Sequence, residues 1–268
     1  MTPGPMNPWP IDTHRVRCER TGVDHVVWVA TPNRYPDVDE PFPLLLVLDA
    51  PWTFGTVVDA TRIMSMSREA PEAVVAGLGF ATDRMSEYLR QRARWLTPTP
   101  WVPPTATGVK GVEAHECGRA AEHTTFVVDQ LLPFLEGTYR TSERTLVGHS
   151  FSALFALRLL LLEPATFRRY LLASPSIWWD DRAVLEIESE RARTETDLAA
   201  QVFLSAGSLE SGDPPFDMAP NVEELAGRLR SRGYPSLDLD HQVMPGDAHS
   251  STIGAAVSKG LRSLFAPV

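Results

Sequence analysis

Cysteine is scarce: the 268 residues include two, Cys18 and Cys117. They supply no disulfide framework, and no paired Cys or His spacing suggests a structural metal. Long hydrophobic runs are missing too. The richest stretch, 154–162, is interrupted by Arg158 and is far shorter than the ~20 residues a bilayer span needs. Basic charge is in deficit, with 25 Lys and Arg against 34 Asp and Glu and a net charge of −9. That balance argues against nucleic acid or an anionic membrane as partner of the surface as a whole. G-x-x-x-x-G-K-[ST], H-E-x-x-H and G-x-G-x-x-G are absent, so no cofactor and no metal is expected. Residues 1–10 are proline-rich without a basic or apolar leader region, and read as an extended arm. With two unpaired cysteines, this sets the expectation of a cytoplasmic chain.

What is present is an alternation. His14–Arg20 and His25–Thr31 flank Thr21-Gly22 as an antiparallel hairpin. Leu44–Leu48, a continuous aliphatic run, and Ala73–Phe80 read as buried strands, and Thr145–Val147, Tyr170–Ala173, Gln201–Ser205 and Leu237–Val243 as further strands. Helical spacing fills the intervals at Phe54–Glu69, Glu113–Thr138, Phe151–Leu162, Asp181–Leu198, Asp217–Arg232 and Ser250–Phe265. The expected fold is α/β: one domain over 1–268, a mainly parallel sheet with an antiparallel N-terminal hairpin, and helices on both faces. Residues 81–113 break the pattern with clustered arginines and prolines. They read as an irregular segment, either a substrate-facing loop or lid at the ligand side of the sheet, or a mobile excursion.

The stretch Arg144-Thr-Leu-Val-Gly-His-Ser-Phe-Ser-Ala-Leu-Phe155 reads as strand, abrupt turn and apolar helix. That layout presents Ser150 from a nucleophile elbow, although Ser152 stands where G-x-S-x-G has its last glycine. A serine hydroxyl needs a base, and the base needs an orienting acid. The chain supplies both in the α/β-hydrolase order. Glu210 follows the strand 201–205 and His249 follows the strand 237–243. Asp213 and Asp217 are alternatives to Glu210. His149 is expected to point away from Ser150 and to be structural, and His14, His25 and His241 to be half-exposed. The Phe151 N–H is one oxyanion donor. The second comes from the loop Asp49-Ala50-Pro51-Trp52, where Pro51 has no N–H and Ala50 or Trp52 must donate, with Trp52 preferred.

These residues resemble the esterase-D-like branch of α/β hydrolases, which includes ferri-siderophore (enterobactin-type) esterases. The matching segments are Leu46–Ala50, Arg92-x-Arg94-x-Leu96-Thr97-Pro98-Thr99-Pro100, Gly148–Phe151, Ala173–Asp180 and Gly246–His249. The resemblance implies a serine esterase working through an acyl-enzyme on a small-molecule ester, with Ser150 as nucleophile, His249 as base and Glu210 as acid. It also suggests a siderophore trilactone as substrate. Arg84, Arg92 and Arg94, with Trp52, Trp101, Trp178 and Trp179, then form a basic aromatic pocket; Arg92, Arg94, Trp178 and Trp179 are its expected contacts. An acyltransferase or thioesterase would use the same triad, and a non-catalytic binding module is the remaining alternative.

Overall fold

The computed structural model describes residues 10–266. The arm expected over 1–10 therefore lies, except for Pro10, outside the described residues. β1 (Ile11–Arg17) and β2 (Asp24–Ala30) pair antiparallel, and Gly22 takes a left-handed turn between them. β3 (Phe42–Leu48), β4 (Val74–Phe80), β5 (Thr141–His149), β6 (Arg169–Ala173), β7 (Ala200–Gly207) and β8 (Leu237–Met244) complete one eight-stranded sheet. The order is β1-β2-β4-β3-β5-β6-β7-β8, parallel from β4 onward.

Side-chain alternation along a strand sorts the core into two layers. In β3, Leu44, Leu46 and Leu48 enter one layer while Leu45 and Val47 enter the other. The first layer is closed by α5 (Phe151–Leu162), α6 (Trp179–Thr194) and α7 (Met218–Arg232). The second is closed by α1 (Ala50–Met66) and α8 (Thr252–Leu264). α5 is buried from Phe151 to Leu161 except at Arg158, because the central helix of a sandwiched layer has no solvent face. Among the described residues no helix is long and apolar enough to cross a membrane.

Three local expectations give way. Residues 81–113 are not wholly irregular: α2 (Met85–Trp95) buries Tyr88, Arg92, Ala93 and Trp95 on one face. Arg90 and Arg94 sit on its polar side, tied to Glu87 and Glu116. The helix expected from Glu113 begins later, with α3 (Ala120–Phe126), a π-helical stretch over Val127–Leu131 and α4 (Leu132–Thr138). His25 is not half-exposed but buried, stacked on Phe126 with His123 and Phe80 around it. Burial lowers its pKa to about 4, because the charged imidazolium is not solvated there.

Candidate active site

Gly148, Ser150 and Ser152 make the turn from β5 into α5. Gly148 leaves no room for a side chain: a Cβ there would lie 2.6 Å from the backbone carbon of Ser152. Ser150 holds a left-side φ of 61°, a strained conformation that lifts its side chain out of the turn. Ser152 fits where a glycine is usual because its hydroxyl bridges the elbow. It accepts from the His149 N–H at 2.9 Å and donates to the His149 carbonyl at 2.8 Å.

Strand ends bring the other groups to the same edge of the sheet. Glu210, in the turn after β7, has Oε2 2.6 Å from His249 Nδ1. Its Oε1 accepts from the Gly207 N–H at 2.7 Å and from the Ser174 hydroxyl at 2.7 Å. Burial by itself would raise the Glu210 pKa, but the bonds from His249, Ser174 and Gly207 outweigh it and hold the carboxyl below its usual range. Nδ1–H therefore faces the carboxylate, and His249 Nε2 is left to act on a substrate or nucleophile. The Ser150 hydroxyl lies 3.3 Å from Ser176 Oγ. Ser150 and His249 line one cavity of about 820 Å³, together with Trp52, Arg92, Phe151, Trp178, Phe216 and Glu210.

His149, expected to point away from Ser150 and to be structural, lines the cavity wall. Its Nε2–H donates to the His249 carbonyl at 2.8 Å, and the two rings lie 4.6 Å apart. Burial, with the neighbouring His249, lowers its pKa to about 4. No sequence motif marks this contact, since it joins residues a hundred positions apart. Asp213 and Asp217 also line the cavity, but Glu210 is the carboxylate that reaches His249.

The expected substrate contacts divide. Arg92 and Trp178 line the cavity. Arg92 is held by both oxygens of Asp49 at 2.9 Å, with its guanidinium over the Trp52 and Phe151 rings. Arg94 is not brought to the cavity: it is paired with Glu116 and Glu87 on the far side of α2. Trp179 is fully buried, and its indole N–H donates to Thr99. Adjacent residues at a helix start cannot both face one pocket, so Trp178 takes the cavity and Trp179 the core. Trp52 lines the cavity with its ring, but its N–H donates to the Asp49 carbonyl at 3.0 Å and is not free for an oxyanion. Of residues 81–113, Arg92, Ala106 and Thr107 reach the wall. Among the described residues no cluster of three or more His, Cys, Asp or Glu is placed to hold a metal ion.

A serine on a strained strand-to-helix turn, in a parallel sheet covered on both faces, with a carboxylate–histidine pair beside it, defines the α/β-hydrolase class. The BES protein from Bacillus cereus has the same fold, with a TM-score of 0.82 and 26% identity over 96% of each chain. The chain belongs to the Esterase family, whose model matches residues 18–238, and it is an ester-hydrolysing enzyme. It is 33% identical over 249 residues to the siderophore enterobactin esterase of Emericella nidulans, covering 81% of this chain and 80% of that one. It is 28% identical over 253 residues to the ferri-bacillibactin esterase BesA of Bacillus subtilis, covering 90% and 84%.

Proposed function

We propose that the protein is a serine esterase acting through an acyl-enzyme, with Ser150 as nucleophile, His249 as general base and Glu210 as the acid that orients it. The observation that carries this is the 2.6 Å Glu210–His249 bond in the wall that also holds Ser150. Ser150 Oγ turns from Ser176 toward His249 Nε2 and attacks the ester carbonyl carbon, while its proton passes to Nε2. The tetrahedral oxyanion is held by backbone N–H groups. Phe151, as first residue of α5, has an N–H with no partner inside its helix. Ala50 supplies the second. It stands three residues past Val47, as Ser150 stands past Val147, and those two valines are paired in the sheet. Collapse breaks the C–O bond and His249 gives its proton to the departing alcohol. Water, activated by the same nitrogen, then attacks the acyl carbon and releases the acid. His249 is 40% exposed at its side chain, so water reaches the site and hydrolysis is favoured over transfer.

The relatives' names favour a siderophore-type ester as substrate. The charge of the cavity narrows its form. Arg92 is neutralised by Asp49, whereas Asp213 and Asp217 add negative charge to the wall. An uncharged polyester suits this lining better than a trianionic ferric tris-catecholate. Two free, buried cysteines support a reducing, cytoplasmic setting. The test is hydrolysis of a p-nitrophenyl ester and of an iron-free trilactone against its ferric complex. Activity is expected on both esters, lost in Ser150→Ala, with the iron-free form preferred. Equal rates for wild type and variant would refute the assignment.

A further inference from the structure

The esterase reading assigns the acid, the base and the nucleophile, but leaves Ser174 unexplained. Ser174 directly follows the last residue of β6, Ala173, and is fully buried. Its φ is 44°, in the left-handed region. Two costs coincide there. A residue with a Cβ disfavours that region, and the following Pro175 pushes its predecessor toward extended backbone. The strain is held by a hydrogen bond from the Ser174 N–H to the Ser205 carbonyl at 2.7 Å. What the conformation achieves is visible at the side chain: the hydroxyl donates to Glu210 Oε1 at 2.7 Å.

Glu210 thus divides its two oxygens. Oε1 is saturated by Ser174 and the Gly207 N–H, and Oε2 is left to His249 alone. A carboxylate with both oxygens free would pivot and present either one at varying angles to the imidazole. With Oε1 tied from two strand ends, the carboxylate plane is fixed, and with it the His249 ring. We propose that Ser174 is a positioning residue for the acid, and that its strained backbone is retained because it delivers the hydroxyl to Glu210 Oε1. This rests on the serine-esterase reading. The net downward shift of the Glu210 pKa, to which the Ser174 bond contributes, agrees with it.

The test compares Ser174→Ala, Ser174→Gly and Ser174→Thr on one aryl ester, with kcat, KM, the pH profile and the thermal midpoint for each. Ser174→Ala keeps the strain and loses the hydroxyl. kcat is expected to fall about tenfold with KM little changed, the scale of losing one hydrogen bond to a charged group. The acid limb of kcat/KM should move to higher pH, because Glu210 loses a bond that favours its ionised form. Ser174→Gly removes hydroxyl and strain together. It should show the same kinetic loss with a thermal midpoint at or above wild type, which keeps the test decisive if the alanine variant folds poorly. Ser174→Thr keeps a hydroxyl and should recover part of kcat. Wild-type kcat and an unmoved acid limb in both the alanine and glycine variants would overturn the proposal. If Ser150→Ala is as active as wild type, the esterase site itself is misassigned; if only the Ser174 variants are silent, the inference alone fails.

Discussion

Asp49 and Arg92 show how much one buried pair can organise. Their carboxylate and guanidinium are 2% and 10% exposed, and meet through two bonds beside the elbow. Removing one partner leaves the other charged and desolvated, which costs about 3–5 kcal/mol. Asp49→Ala should therefore lower the unfolding free energy by roughly 3 kcal/mol, measurable in urea, and weaken activity because Ala50 loses its anchor. Gly148→Ala is a second residue-scale test. The new Cβ would meet backbone rather than a movable side chain, at 2.6 Å from the carbonyl of Ser152. A loss of about 3 kcal/mol or failure to fold is expected. Wild-type stability would show that β5 and α5 approach less closely than a 2.6 Å Cβ contact implies. That Ser150, Glu210 and His249 each follow a strand was legible in the sequence. Their partners were not. Nothing local says that Arg92 turns to Asp49 while Arg94, two residues on, turns to Glu116.

At the scale of elements, the central strands β3 and β4 were legible because continuous aliphatic runs have one home in a sheet covered on both faces. Boundaries shifted where turns intervene, and α2 was hidden behind a proline cluster that follows it rather than occupying it. The start of α6 was equally hidden. Asp180, Asp181 and Arg182 are three successive residues with positive φ, and no glycine signals the turn. Asp181 is exposed, so glycine there removes strain without costing a contact. Asp181→Gly is expected to raise stability by about 0.5–1 kcal/mol, read as a higher thermal midpoint. An aliphatic pattern reports burial, but a left-handed turn of charged residues leaves no comparable trace.

Over the whole molecule, three desolvated histidines link stability to pH, His25 and His123 buried and His149 half-buried in the cavity wall. His25 and His149 have pKa values lowered to about 4, and His123 is pushed well below its ordinary value, in each case chiefly by burial. Their folded pKa values lie below the unfolded value of about 6.5, so under that pH the unfolded chain binds protons that the fold refuses. The stabilisation is complete above about pH 6.5 and is lost as pH falls toward 4. His25 alone is worth roughly 3 kcal/mol across that window. Urea unfolding at pH 7 and pH 4.5 should show a fall of at least that size, reduced in His25→Phe; a flat profile would contradict the burial described.

We propose Ser150 as the nucleophile of an esterase site completed by His249 and Glu210. The most direct check is the intact mass and peptide map of the protein after a fluorophosphonate. A single adduct on Ser150 is predicted, absent in Ser150→Ala and formed far more slowly in His249→Ala. No adduct on the wild type, or one that maps elsewhere and survives Ser150→Ala, would contradict the account.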